Sequence, residues 1–458
     1  MSISRSDDAP REPFRSPGAG AWPAIRGFFT AETDARNLAC FRIVVFAVLF
    51  WVGYRSTPLE FLRLPEELRV APPLYGAWVE RVPFDASLLS GARHVLLIAS
   101  LSGLIGLFSR GSALVACLGA VLVLGVSQCF GKVNHTDHHL VWFTALLAAS
   151  PAGDAWSVDA WRKGNFAGTA GQRSVAYALP IRIAWLLVGV AYFFPGVAKL
   201  LAGPEWVLSD NVKFLLYRFW SEKAFLPWPR IDRWPGACQV AAIATIVFEI
   251  AFLPCMFFRT ARPLAALSAL AFHASMWVFL RIRFFALMAC YPMFVDWASI
   301  LDRIAGRSPP STAAAARAPV GRSARPVAAV GAVLVGVQIA CGISGIDSWP
   351  FSVFPRFAGI VRDAVSRRVE VELRDPSGAR RLVNMPPSKR GFGDRVLAMP
   401  EGDRRAAALR GLEKLAADGI RDRRPDETMS LVVVTRSTLP EDRGRPPLDV
   451  APIDTAPR

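Results

Sequence analysis

The sequence predicts an all-α polytopic membrane bundle of eight or nine transmembrane helices, followed by a small C-terminal α+β extramembrane domain. The 458-residue chain is 53% hydrophobic, although its C-terminal part is densely charged. A helix needs about 20 apolar residues to cross a bilayer. Nine apolar runs are candidate spans, near 38–54, 93–109, 112–130, 139–150, 176–200, 238–258, 264–281, 284–300 and 326–345, although the run 139–150 is short. Nine spans are preferred, with a tight hairpin dividing the last stretch before residue 300.

The apolar runs divide the chain into three parts. Residues 1–35 form a polar N-terminal tail, 36–345 the membrane domain, and 346–458 a small extracytoplasmic domain with a loose tail. The tail lacks the short apolar core and small-residue cleavage site of a signal peptide. The first membrane helix is therefore expected to act as its own targeting signal.

The distribution of charge argues against a nucleic-acid partner. The chain carries 53 basic and 37 acidic residues, a net charge of +16. Residues 346–458 contribute 21 basic and 17 acidic residues, so most of the excess lies before, between and within the apolar runs. A nucleic-acid-binding protein would instead show a continuous basic face. The predicted partner is the lipid bilayer, and no nucleic acid is expected.

Basic connectors predict the orientation in the cell membrane. Short loops rich in Lys and Arg stay in the cytoplasm. The links containing Arg110, Arg259 and Arg262, and the arginine-rich link 301–325, fall on one side in the nine-span arrangement. That side also holds the N-terminus. The N-terminus is thus predicted to be cytoplasmic and the C-terminal domain extracytoplasmic.

The C-terminal domain shows its own pattern. Alternating residues on both sides of Asp375–Gly378 predict a β-hairpin. Residues 401–417 predict a helix, and Met429–Thr435 a further strand. The chain from Leu439 onward is rich in Pro and Asp and predicts a loose tail. The aromatic stretch Ser348–Phe357 is expected at the membrane surface.

The first candidate site is a cluster of histidines at the start of an apolar run. The segment 131–140, GKVNHTDHHL, holds His135, Asp137, His138 and His139. Only pairs three or four residues apart converge on a helix, so a metal site is not predicted. Taken alone, the cluster is also typical of a solvated helix start, where Asp137 favours the helix N-terminus.

The second candidate is the segment 191–206, AYFFPGVAKLLAGPEW. Pro195 predicts a kink and Gly196 a close approach of another helix. Lys199 lies seven residues after Tyr192, on the same helix face. A lysine in a pocket of low dielectric can act as a base. The alternative is a lysine at a helix end whose amine reaches the headgroups.

Other polar residues lie within the apolar runs. Glu249, Arg42, Arg182 and His273 fall where a charged or polar side chain is costly. Glu249 and the two arginines are expected to neutralise one another in at least one pair. A lone histidine on an apolar face, such as His273, is commonly a hydrogen-bonded core residue.

Taken in order, these segments resemble the horizontally transferred transmembrane (HTTM) family, relatives of vitamin K-dependent gamma-carboxylases. The matching segments span about 33–300 and are LACFRIVVFAVLFW at 38–51, NHTDHHLVWFTALLAASPAGDAWSVDA at 134–160, YFFPGVAKL at 192–200 followed by Trp206, Glu249, and AFHASMWVFL at 271–280.

The resemblance implies a membrane enzyme that deprotonates a reduced quinone of the vitamin K or menaquinol type and uses oxygen to make a strong base. It implies Lys199 as the catalytic base, with His138 or His135 stabilising it or a substrate anion. It further implies His273 as a site residue, supported by Tyr192, Trp206, Glu249 and Arg42. An exported peptide or protein is the implied substrate.

The sequence also departs from the carboxylases. Their F-H-x-x-N pattern ends here in Met276, and Ile282–Ala286 replaces their I-G-x-F-P. Only a small C-terminal domain stands in place of their large substrate-binding region. Glutamate carboxylation itself is therefore not predicted. The alternative to an enzyme is a non-catalytic membrane module that binds or senses an exported partner.

Overall fold

The computed structural model describes residues 21–82, 84–130, 133–167, 173–307, 324–354, 357–383, 390–397, 399, 401–420 and 422–453. Most of the polar N-terminal tail and the central part of the basic link 301–325 lie outside the described residues. In chain order the helices are α1 Ala21–Thr30, α2 Ala35–Arg55, α3 Pro73–Val79, α4 Ala86–Ile105, α5 Ser109–Gly125, α6 His138–Ala149, α7 Val158–Arg162, α8 Val175–Leu201, α9 Glu205–Leu208, α10 Asn211–Lys223, α11 Ala237–Cys255, α12 Arg262–Leu280, α13 Phe285–Ala289, α14 Trp297–Ile304, α15 Arg325–Ser344, α16 Arg390–Leu397 and α17 Asp403–Gly419.

Seven helices in the described part of the chain are long and apolar enough to cross a membrane. They are α2, α4, α5, α8, α11, α12 and α15. The apolar helix α6 has only 12 residues, about 18 Å of rise, and is too short to span a bilayer alone. The chain is thus a multi-pass membrane protein, and the expected count of eight or nine spans is not confirmed.

The apolar run 284–300 does not form one helix. It divides into α13, a 3₁₀ turn at Tyr291–Phe294, and α14. Pro292 has no N–H to continue the helix of α13. Asp296 then begins a new helix, because its carboxylate accepts a hydrogen bond from the Ser299 N–H at 3.3 Å.

Contacts at one end of the bundle hold several helix starts together. Strand β1, Thr33–Asp34, pairs with β2, Arg173–Ser174, so α2 and α8 begin side by side. Arg36 donates two hydrogen bonds to Asp302, at 2.7 and 2.8 Å, and also binds Asp34. This ion-paired cluster ties α2 to the end of α14.

Two arginines at the same end bind backbone carbonyls. Arg42 is completely buried and donates to the carbonyls of Ala152, Ala155 and Trp156, at 2.7, 3.2 and 2.5 Å. Arg182 donates to the carbonyls of Phe28 and Ala31, each at 2.6 Å. Neither arginine pairs with Glu249, which corrects the expected pairing. Carbonyl oxygens at loop and helix ends accept hydrogen bonds from each guanidinium instead.

The aromatic segment after α15 folds back into the bundle. Trp349 is 2% exposed, and its indole N–H donates to the Val121 carbonyl at 3.0 Å. The indole N–H of Trp142 in α6 donates to the Pro350 carbonyl at 2.9 Å. The segment is therefore partly buried between helices.

The C-terminal region is a four-stranded antiparallel sheet with two helices. The strands are β3 Val365–Arg374, β4 Arg380–Val383, β5 Thr428–Ser437 and β6 Asp449–Pro452, in spatial order β4-β3-β5-β6. The predicted hairpin is β3–β4, and the predicted helix is α17, whose Leu409, Leu412 and Ala416 are buried. The tail was expected to be loose, but β6 pairs with β5 because its extended backbone completes that open sheet edge.

We expect the Arg42→Met substitution to lower the free energy of unfolding by about 2–4 kcal/mol, because three carbonyl oxygens lose a charged donor. Arg55→Met, at the exposed end of the same helix α2, is the matched control and should change stability little. Denaturant or thermal unfolding of the purified protein in one detergent measures both. Equal stability of the two variants would contradict a structural role for Arg42.

Candidate functional site

The candidate site depends on a close contact between α8 and α11. A side-chain carbon added at Gly196 would lie 2.9 Å from the Cβ of Glu249, and one at Gly189 would lie 2.8 Å from Leu253. Only glycine lets the two backbones approach this closely. The contact sets Glu249 against the face of α8 that carries Lys199.

Lys199 and Glu249 form a buried ion pair. The Lys199 Nζ donates to the two carboxylate oxygens of Glu249 at 2.7 and 2.8 Å. The Lys199 side chain is 2% exposed and that of Glu249 8%. The Trp206 ring lies 5.6 Å from the ammonium, and its indole N–H donates to the Phe357 carbonyl at 2.9 Å. Lys199 is therefore enclosed by protein and does not extend to the lipid headgroups.

The pair lies in the wall of an apolar groove of about 650 Å³ between α10, α11 and α12. Val247 and Leu264 also line this groove and are 59% and 69% exposed. The groove is thus open on the side of the bundle that faces the membrane. Its inner wall is mainly aromatic and aliphatic and includes Phe248, Phe252, Phe272, Met276, Phe279 and Phe357.

A second, smaller cavity of about 120 Å³ lies on the other side of Glu249. We call it the histidine chamber, because four histidines line it: His135, His138, His139 and His273. Tyr192, Glu249, Met276 and Phe357 also line it. Glu249 therefore lines both cavities, whereas Lys199 lines only the groove.

A chain of hydrogen bonds joins three buried side chains beside the histidine chamber. The Tyr192 hydroxyl lies 2.6 Å from His273 Nε2 and 2.8 Å from the Tyr291 hydroxyl. These residues come from α8, α12 and the 3₁₀ turn after α13. His273 Nδ1 is buried and has no hydrogen-bond partner among the described residues.

His138 is held by the segment that follows α15. Its Nδ1 donates to the Pro350 carbonyl at 3.0 Å, and its ring packs edge-on against Trp349 at 4.7 Å. Its Nε2 is buried and has no hydrogen-bond partner in the described part of the chain. His135 Nε2 lies 3.8 Å from an Asp347 carboxylate oxygen.

The model of the HTTM domain family matches residues 31–297, more than half of the chain. The chain belongs to the HTTM family. No curated protein and no solved structure matches it. The resemblance drawn from the ordered segments is thus confirmed, and the match ends before α15 and the C-terminal sheet of this HTTM protein.

The structure brings together most of the residues singled out in the HTTM sequence. Lys199 contacts both Glu249 and Trp206, and Tyr192 forms a hydrogen bond with His273. His135 and His138 lie in the same chamber as His273. Arg42 is the exception, because it lies beside the helix starts near β1. Lys199 lies 24 residues along α8 from that end, about 36 Å of helix rise.

Other residues of the HTTM site gave no clear signal in the sequence. Tyr291 reaches the site only because the run 284–300 is broken, and Pro350 acts through its backbone carbonyl. Phe354 and Phe357 line the chamber from the segment after α15. No group of three or more His, Cys, Asp or Glu side chains in the described residues could hold a metal ion.

Removing one member of the buried pair should leave the other charge uncompensated. We expect Lys199→Met and Glu249→Met each to lower the free energy of unfolding by about 3–5 kcal/mol, and the double variant to recover most of that loss. Unfolding of the purified single and double variants measures the coupling. Strictly additive losses would contradict a direct ion pair.

Proposed function

We propose that this HTTM protein is a membrane enzyme in which Lys199 acts as a base on a lipophilic substrate. The observation that carries the proposal is the Lys199–Glu249 pair in the wall of a groove open toward the membrane. Buried polar groups in a membrane domain are costly and mark functional sites. An isolated ion pair with no function would be replaced by apolar side chains at little cost.

The Lys199–Glu249 pair can hold its proton on either residue, and a base needs the state in which Lys199 is a neutral amine. With the proton on Lys199, the site holds an ammonium and a carboxylate. Transfer of that proton along the 2.7 Å hydrogen bond to Glu249 gives a neutral amine and a neutral acid. The neutral arrangement costs less in surroundings of low dielectric. Lys199 can then accept a substrate proton at Nζ while Glu249 holds the first one.

The groove fits a reduced quinone of the vitamin K or menaquinol type. Aromatic side chains such as Phe248 and Phe272 suit a fused ring and an isoprenoid tail, and the opening suits entry from the bilayer. When bound, such a quinone supplies two electrons and acidic hydroxyl protons. Lys199 Nζ and the Glu249 carboxylate are positioned to bind a hydroxyl group at the groove wall.

We propose this chemistry without proposing glutamate carboxylation. Met276, which stands in place of a carboxylase asparagine, lines both the groove and the histidine chamber. A thioether cannot provide the hydrogen bonds of an amide. The site therefore differs from that of the carboxylases in one lining residue.

We also propose nine crossings, with the N-terminus in the cytoplasm and the C-terminal domain extracytoplasmic. The short α6 and the broken segment from α13 to α14 would complete the seven long helices. Arg36 near the start of α2 binds both Asp34 and Asp302, so the end of α14 lies beside the start of α2. This contact supports the proposal that both lie on the cytoplasmic side. Arg303 and Arg307 at that side agree with the positive-inside rule.

A second candidate function is capture of an exported acidic peptide by the C-terminal region. A cleft of about 830 Å³ lies between α10 and the β3–β5 sheet. Its charged lining contains four arginines, Arg368, Arg436, Arg443 and Arg445, against Glu370 and Asp442. Under this candidate, substitution of Lys199 would leave peptide binding intact.

Purified protein in lipid nanodiscs should bind a reduced menaquinone. We expect Lys199→Met to weaken binding at least tenfold, because the hydroxyl loses its charged partner. The matched control is Lys223→Met, at an exposed position at the end of α10, which should bind like the parent chain. Fluorescence quenching or calorimetry gives the dissociation constants. Equal binding by the parent, Lys199→Met and control proteins would refute Lys199 as a substrate contact.

The proposed orientation predicts which thiols an impermeant maleimide reaches in intact cells. Arg404→Cys, exposed in α17, should be labelled from outside, and Arg303→Cys, exposed in α14, only after permeabilisation. The parent chain provides the background, because its seven cysteines are all buried or partly buried. The reverse pattern would invert the topology.

A further inference from the structure

Each of the four histidines that line the chamber has one buried ring nitrogen without a hydrogen-bond partner among the described residues. Two of these nitrogens, on His138 and His273, differ in hydrogen-bonding character. His138 and His273 both line it, and their exposed fractions are 1% and 2%. Each has one nitrogen held by protein and one buried nitrogen without a partner among the described residues. The protein partner of each ring decides which nitrogen carries the proton.

His138 is fixed by a carbonyl. A carbonyl oxygen only accepts hydrogen bonds, so the bond of 3.0 Å to Pro350 places the proton on His138 Nδ1. In the neutral ring the other nitrogen, Nε2, then carries a lone pair. His138 therefore offers an acceptor to the chamber.

His273 is fixed by two phenols. Tyr192 bonds His273 Nε2 and Tyr291, and Tyr291 has no further hydrogen-bond partner among the described residues. In one direction, Tyr291 donates to Tyr192, and Tyr192 donates to His273 Nε2. The proton of the neutral His273 ring is then on Nδ1, and this N–H is the one donor left without an acceptor. The reverse direction leaves both the Tyr291 hydroxyl and His273 Nδ1 unmet. Because each unmet buried group is costly, the first direction is preferred.

We propose that Pro350, Tyr192 and Tyr291 act as positioning residues that make the histidine chamber a binding site for one hydroxyl group on an apolar body. The hydroxyl donates to His138 Nε2 and accepts from His273 Nδ1. This inference does not depend on Lys199 acting as a base, because Lys199 does not line the chamber.

The remaining walls of the chamber suit a ring. Val188, Ala191, Phe272, Phe284 and Leu287 surround the histidines with apolar surface. Apolar cavities of about 150 Å³ bind benzene, so a chamber of about 120 Å³ matches one small aromatic ring. Phenol is the simplest molecule with both features.

The test uses the full chain in lipid nanodiscs with ¹⁵N-labelled imidazoles. The sequence has five histidines, and His138→Gln and His273→Gln variants assign the two resonance sets. Without added ligand, we expect Nδ1 to be protonated and Nε2 unprotonated on both rings. A protonated Nε2 on either ring in the parent chain would overturn the proposal.

Three ring compounds of similar size then distinguish the hydrogen bond to His138 from the hydrogen bond to His273. Phenol can donate and accept, anisole can only accept, and toluene does neither. We expect saturable shifts of His138 Nε2 and His273 Nδ1 with phenol, of His273 Nδ1 alone with anisole, and of neither with toluene. Shifts as large with toluene as with phenol, or none with phenol, would refute the proposed hydroxyl site.

Two tyrosine variants test how His273 is positioned. Tyr192→Phe should allow both His273 tautomers, leave the His138 pattern unchanged, and weaken phenol binding about 5-fold. Tyr177→Phe is the control, because Tyr177 lies in the same helix and its hydroxyl donates to Asp154 at 3.0 Å, far from the chamber. A single, unchanged His273 tautomer in Tyr192→Phe would show that the two phenols do not set it.

Discussion

The buried contact between α8 and α11 is the constraint on which the rest of the site depends. Gly189 and Gly196 bring the two backbones together, and the Lys199–Glu249 pair lies at their line of contact. Neither charge could remain in the membrane domain without the other. The pair therefore also fixes the register of the two helices, and that register places Glu249 between the groove and the histidine chamber.

The two cavities have different physical characters. The groove is large, apolar and open toward the membrane, with the ion pair in its wall. The chamber is small and lined by rings whose free nitrogens face no protein partner among the described residues. Because Glu249 borders both, a change in its charge would alter the electrostatic field in each cavity. Through Glu249, a ligand bound in one cavity would affect the binding of a ligand in the other.

The C-terminal segment contributes to the site although it follows the family-matched region. Residues after α15 supply the Pro350 carbonyl to His138 and the Phe357 carbonyl to Trp206. Helix α17 of the C-terminal region in turn contacts the loop between α2 and α3, where Lys414 donates to Glu67. The C-terminal region is therefore attached to the end of the bundle that holds Lys199.

The sequence by itself determined the membrane bundle and the C-terminal hairpin, and it pointed to most residues of the candidate site. Apolar runs, turn residues and charges at membrane depth are local signals, and local signals can be recognised in a sequence without a structure. Lys199, Glu249, His138 and His273 were recognisable because polar residues are rare in such runs.

Only the tertiary structure decided which of these residues meet. Arg42 and Glu249 look alike in sequence, as single charges in apolar helices. Arg42 binds carbonyls near β1, whereas Glu249 pairs with Lys199 near the opposite end of α8. Tyr291 joined the site through a broken helix, and Pro350 through a backbone carbonyl, which carries no residue-specific signal. Pairing between distant segments depends on helix register and packing, and neither is encoded in the local hydrophobic pattern.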